Sequence, residues 1–434
     1  MDRRRFLLSS AATAAVAMTP SLSAAAEEER KASQGATTIT LSLWMTGTEF
    51  TTMQTLLKTD FEKRNPGISV KIINVAGPNW GRQKVETLIA GGQAPDVLQL
   101  NTGQFEAFAA RGTLLDLTPY FAKDHVDMNA YVTGTWPGCK YSGKLYGTPR
   151  FLSVHATYYN KDMFRKAGVP FPKATWTWNE FRDTAKALTN PKKHQWGMGM
   201  VNDVWQWGGA FVAANGGQII SADRKKCLMN DPKTIEAIDF YFGLQFRDKV
   251  MPPPGSLPPA QNWAGAQFQA QSVGMSILGP WFRPTMAQTK PSFDWGITLS
   301  PSSPHTHKPS TFVYVDQWSA SASTSHAAEA WTLVKWLGSP EFHQAWLRAY
   351  GASSLDAVTS VVNNPAWMHY NGHSGSVFLE EAKYASLPPI NYANGGRVQD
   401  VWNQELGLVQ LGQESAAAAV AKIVPKIDAI LASS

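Results

Sequence analysis

Between residues 39 and 100 the apolar pattern of the chain changes period four times. Ile39 to Trp44 alternates and is β-branched at its start, as a strand requires. Met53, Leu56, Leu57 and Phe61 then recur on one helical face until Asn65-Pro66-Gly67 stops the run. Ile68 to Ile73 reads as a second strand, residues 80–90 as a second helix, and Asp96 to Leu100 as a third strand after Gly91-Gly92. Strands separated by helices at this spacing pair in parallel, because a crossover helix returns the chain to the same end of the sheet. An α/β fold is therefore expected from the first hundred residues.

The rest of the chain repeats the theme. Trp178 to Leu188, Thr234 to Phe246, residues 326–337 and Pro340 to Leu347 read as helices, and Val273 to Leu278 as a strand. At 434 residues the chain is long enough for two or three compact units. The first 26 residues are set apart as an address. Arg3, Arg4 and Arg5 precede Phe6-Leu7-Leu8, an apolar small-residue stretch runs to Met18, and Ala24-Ala25-Ala26 offers a cleavage point. The run resembles the twin-arginine export motif and is too short and polar for a membrane anchor. Residues 27–37 read as a polar linker, and a periplasmic protein is expected.

Charge and cysteine narrow the class further. The formal net charge is +6; residues 1–26 hold three Arg and one Asp, so their removal leaves +4 with no basic stripe. Nucleic acid is not an expected partner. Cys139 and Cys227 are too few for a disulfide framework, and whether they pair is left open. Tryptophan is in excess, at 17 residues. Indole rings stabilise cores, and they also stack on the C–H face of a pyranose.

Four stretches carry a family resemblance. The first is Phe61-Glu62-Lys63 with Asn65-Pro66-Gly67-Ile68 and Val70. The second is Gly91-Gly92-Gln93-Ala94-Pro95-Asp96-Val97 with Gly112, Leu114 and Asp116-Leu117-Thr118-Pro119. The third runs from Gly143-Lys144-Leu145-Tyr146-Gly147 through Tyr158 to Phe164, Ala167-Gly168 and Thr175-Trp176. The fourth is Val273-Gly274-Met275 to Gly279-Pro280-Trp281, echoed by Ala330 to Trp336 and Gly338 to Glu341. In this order they resemble the extracellular solute-binding proteins of ABC importers, sugar-binding type. The resemblance implies two α/β lobes with a hinge and a ligand cleft between them. One lobe would comprise about 38–148 and 312–364, the other about 149–311 and 365–434, with crossings near Gly147–Ser153, Ser300–Phe312 and Asn363–Trp367. It also implies a monomer that serves a permease, neither inserted in the membrane nor dependent on a cofactor or metal.

Candidate ligand contacts follow from the rule that open α/β sheets bind beyond the carboxyl ends of their strands. That rule selects Trp44 and Thr46 after the first strand, Asn101 and Gln104 after the third, and Trp281 after 273–278. In the resemblance, Gly279-Pro280-Trp281 falls at a ligand-stacking position. Trp205 and Trp207 would share a face if they lay on a strand. Asn215, Tyr392 and Trp402 complete the aromatic and polar candidates. Arg150 and Arg283 would favour an acidic ligand such as a uronate if both faced the cleft. Trp331, Trp336 and Trp346 stand at helical spacings and are expected in the core, and Asp96 is expected to hold backbone.

A secreted carbohydrate-active enzyme is the main alternative. It needs two carboxyl groups set across a glycosidic bond. Glu49, Asp203, Asp316 and Glu405 read as scattered, and no nucleophile-elbow, zinc-ligand or phosphate-loop pattern is present. No enzyme is expected. A non-sugar solute such as glycerol phosphate is the other alternative, and the excess of tryptophan favours sugar over it.

Overall fold

The computed structural model describes residues 35–76, 81–132, 134–199, 204–253, 255–352, 354–386, 388 and 395–433. The strands fall into two principal sheets. Those of the first are β1 (Thr37–Leu43), β2 (Ile68–Asn74), β3 (Val97–Asn101), β4 (Gly147–Ser153), β9 (Tyr314–Ala320) and β10 (Leu355–Asp356). The second contains β5 (Ala156–Asn160), β6 (Trp196–Met198), β7 (Val273–Leu278) and β8 (Trp295–Thr298). Spatial order is β10-β4-β9-β3-β1-β2 in the first sheet and β8-β5-β7-β6 in the second. The parallel pairing expected from the sequence joins β1 to β2 and to β3. β9 enters antiparallel between β3 and β4.

Local chemistry explains the element ends. Met53, Leu56, Leu57 and Phe61 are all buried, and the helix Gly47–Leu56 continues as a wider turn through Glu62. Asn101 and Gln104 form a capping box at the start of helix Thr102–Ala110. Thr177 and Glu180 do the same for Trp178–Leu188. Asp96 accepts from Thr40 N and Oγ1 at 2.8 Å and from Thr324 Oγ1 at 2.6 Å. Burial opposes its ionisation, but these donors outweigh burial and hold the carboxyl below its usual range. Asp96 is thus a brace between β1 and the turn after β9, as expected.

Aromatic rings fill the interior. Trp331, Trp336 and Trp346 pack against Phe61, Phe121 and Phe342 beside the first sheet. Trp178 stacks on Phe240 with centroids 4.6 Å apart beside the second. A further cluster joins the two: Leu152, Val315 and Leu355 from the first sheet meet Tyr158, Leu278 and Trp295 from the second. Val154 and His155 carry the chain from β4 into β5, and the segment between β8 and β9 brings it back. Cys139 and Cys227 are both free and buried. Among the described residues, no helix is long and apolar enough to cross a membrane.

Candidate functional site

The carboxyl ends of β1, β3 and β7 open on one cavity of about 580 Å³. Trp44 and Thr46 follow β1, Asn101 ends β3, and Trp281 follows β7; all four line the cavity. Trp44 follows a strand of the first sheet and Trp281 follows a strand of the second, so each sheet contributes one indole to the lining. Gly47 lies at the start of a helix with φ +53°, a conformation that a side chain resists. That helix has no side-chain cap, and its first residues, Gly47 to Glu49, line the cavity. Thr285 and Gln288 sit one and two turns along the helix Phe282–Thr289 and complete the lining from the second unit.

At the base lies a charged group. Phe151 pairs with Asp316 and Pro149 with Gln317, so Arg150 is the extra residue of a β-bulge between β4 and β9. Bulges are also where a sheet tolerates proline, which accounts for Pro149. Arg150 is 4% exposed, its Nη2 donates to Glu49 Oε1 at 2.8 Å, and its guanidinium lies 4.2 Å from the Phe151 ring centroid. Trp318 and Trp346 flank it at 5.4 and 5.7 Å. Burial pushes the Asp316 carboxyl up to about 7; the Arg150 charge opposes this and the Glu49 charge adds to it. Tyr350 lines the same region, its hydroxyl pushed up to about 12 by burial and by Glu49.

Glu49 and Asp316, which read as scattered in the sequence, therefore line a single cavity with Arg150. The sequence offers Arg150 as a ligand contact, and Glu49 and Asp316 only as carboxylates of the enzyme alternative. The available signal for Glu49 was an acid in the first turn of a helix that follows a strand. No local signal marked Asp316, which the pairing of β9 with β3 and β4 brings in.

The remaining candidates lie elsewhere. Gln104 is buried as a helix cap. Asn215 donates to Lys233 O at 2.9 Å and accepts from Ser303 Oγ at 3.0 Å, which makes it an internal brace. Trp402 is fully buried in the core of the second unit. Arg283 is 1% exposed and turns away from the cavity, donating to Trp367 O at 3.0 Å with its guanidinium 4.6 Å from the Trp367 ring centroid. Burial lowers its pKa to about 10. Trp205 and Trp207 fall on the helix Val204–Ala214 and not on a strand, so residues two apart cannot share a face. Their side chains lie outside the described residues, as do Tyr392 and Asp203. Glu405 pairs with Lys426 at 2.5 Å, away from the cavity.

Two α/β units with a deep polar and aromatic cavity between their sheets define a two-lobed binding protein. Residues 46–344 match the model of the bacterial extracellular solute-binding proteins, and the chain belongs to that family. A putative binding protein of Brucella abortus (strain 2308) is 25% identical over 387 residues, spanning 86% of this chain and 89% of that one. The multiple sugar-binding protein of Streptococcus mutans is 24% identical over 72% of this chain and 74% of its own. Among solved structures, an ABC substrate-binding protein from Listeria monocytogenes in complex with cycloalternan superposes with a TM-score of 0.82 at 25% identity, covering 92% of this chain and 99% of that one. The maltose/maltodextrin-binding domain from Bdellovibrio bacteriovorus, bound to maltotriose, gives 0.76 at 20% identity over 91% and 99%.

Proposed function

We propose that this protein is the periplasmic substrate-binding component of an ABC importer, exported through a twin-arginine signal, and that it captures a sugar between its lobes. The observation that carries this reading is the cavity of about 580 Å³ lined by Trp44 from the first unit and Trp281 from the second. Indoles offer flat surfaces for the apolar face of a pyranose, while Thr46, Asn101, Glu49 and Asp316 supply partners for its hydroxyls. Relatives named for sugar binding and structural neighbours holding cycloalternan or maltotriose support the same ligand class.

The lobes are taken as residues 38–148 with 312–364 and residues 149–311 with 365–434. Sheet membership supports this division, apart from β4, which pairs within the first sheet. A ligand touching both lobes favours closure by its difference in affinity between open and closed states. The permease would read the closed form. No chemistry on the sugar is assigned: Glu49 is engaged with Arg150, and the family binds rather than transforms its solutes. A panel of mono- and oligosaccharides, read by melting temperature and tryptophan fluorescence, tests the proposal. Binding raises the first and shifts the second; silence in both across the panel refutes the sugar reading.

A further inference from the structure

We infer that the cleft takes an uncharged sugar whose hydroxyls bond to the Glu49 and Asp316 carboxyl groups, and that it discriminates against uronates and sugar phosphates. The inference rests on the sugar-binding reading and specifies the ligand within it.

Charge separates neutral from anionic ligands here. Among the described residues that line the cavity, Arg150 is the only cation. Its charge is already matched by Glu49 at 2.8 Å, and the rings of Phe151, Trp318 and Trp346 surround the guanidinium. An anionic ligand would have to displace Glu49 while sitting beside Asp316. Arg283, the other arginine that a carboxylate could have used, points into the core at Trp367. Residues 77–80, 200–203 and 387–394 contain no Lys or Arg, so they bring no further cation. The N-terminus of helix Gly47–Leu56 carries partial positive charge, but Glu49 in its first turn offsets it.

A neutral sugar meets the opposite situation. Carboxylates accept hydroxyl protons in short, charge-assisted hydrogen bonds. Glu49 and Asp316 approach the cavity from different elements, so they can take separate hydroxyls of one ring. A ligand carboxylate finds the Arg150 charge already matched by Glu49 and, once Asp316 is ionised, meets like charge in a partly dry site, where a unit charge a few ångströms away changes affinity by on the order of 100-fold.

Calorimetric titration of the purified protein at pH 8, where Asp316 is mostly ionised, with paired probes decides the matter. Suitable pairs are D-glucose with D-glucuronate, D-galactose with D-galacturonate, and a neutral xylo-oligosaccharide with its glucuronate-substituted form. At least one neutral member is expected to bind, with its anionic partner weaker by at least tenfold. Glu49→Gln is expected to narrow that gap by freeing Arg150, and Asp316→Asn to narrow it by removing the second carboxylate; either variant that melts within a few degrees of the parent suffices. A uronate bound within tenfold of its neutral partner, or more tightly, overturns the inference while leaving sugar binding intact. A gap that neither folded variant changes also overturns it. No binding by any probe overturns the sugar reading and this inference with it.

Discussion

Arg150 Nη2 lies 2.8 Å from Glu49 Oε1, and the arginine reaches its partner from the extra position of a β-bulge. A buried cation held this way keeps two acidic groups, Glu49 and Asp316, in one cavity. Replacing Arg150 with Met would leave both without a counter-charge. Breaking a buried pair from one side costs about 3–5 kcal/mol. Urea unfolding of the Arg150→Met variant should show a loss of about 3 kcal/mol, larger at pH 8 than at pH 5 because both carboxyls are then ionised. An unchanged midpoint at pH 8 would contradict the role assigned to the pair.

Asp316 should impose its own pH dependence. Its pKa in the folded protein is raised to about 7 from an ordinary 3.8, so folding favours the protonated acid. The stability that this proton contributes is fully present below about pH 4 and declines as pH rises through 7. Three units correspond to at most about 4 kcal/mol. Asp316→Asn should therefore flatten the fall in melting temperature between pH 5 and pH 8, with the variant gaining most at pH 8. Parallel pH curves for the two proteins would exclude the effect.

The tryptophans should separate by environment. Trp44 and Trp281 are half-buried and line the cavity, whereas Trp402 is fully buried beside Val398 and Leu406. Trp44→Ala and Trp281→Ala should each weaken binding of a sugar probe about tenfold or more, through lost stacking and apolar contact. Trp402→Ala should instead cost about 3–5 kcal/mol of stability by opening a cavity. Calorimetry and urea unfolding on all three variants distinguish the cases; equal affinity for Trp281→Ala and the parent would remove Trp281 from the site.

The cysteines provide a simple check on the packing. Both are buried and free, and burial raises Cys227 to about 11 and Cys139 further still. A thiol held protonated and out of solvent reacts slowly. Ellman's reagent should find almost no fast thiol in the native protein and two after denaturation. Two thiols missing in the denatured, unreduced protein would indicate a disulfide and contradict the structure.

The first three strands and their helices were legible in the sequence because each is specified by a local apolar period. The carboxyl-end rule then led from strand ends to Trp44, Thr46, Asn101 and Trp281, all of which line the cavity. Asp316 was not legible, because its position depends on β9 pairing with strands more than 150 residues earlier. Trp205 and Trp207 would share a face only on a strand, and the apolar run through Ala214 is helical. Arg283 follows Trp281 closely in sequence, yet the helix that begins there turns it toward Trp367 and away from the cleft.

The antiparallel insertion of β9 between β3 and β4 bears on how the molecule is made. A ribosome must deliver some 320 residues before the middle of the first sheet can be filled, and until then β3 presents a bare edge. A truncated chain ending near residue 310 would thus be a half-zipped sheet prone to stick to its neighbours, not a free-standing lobe. Assembly of the two halves is thereby bound together in time.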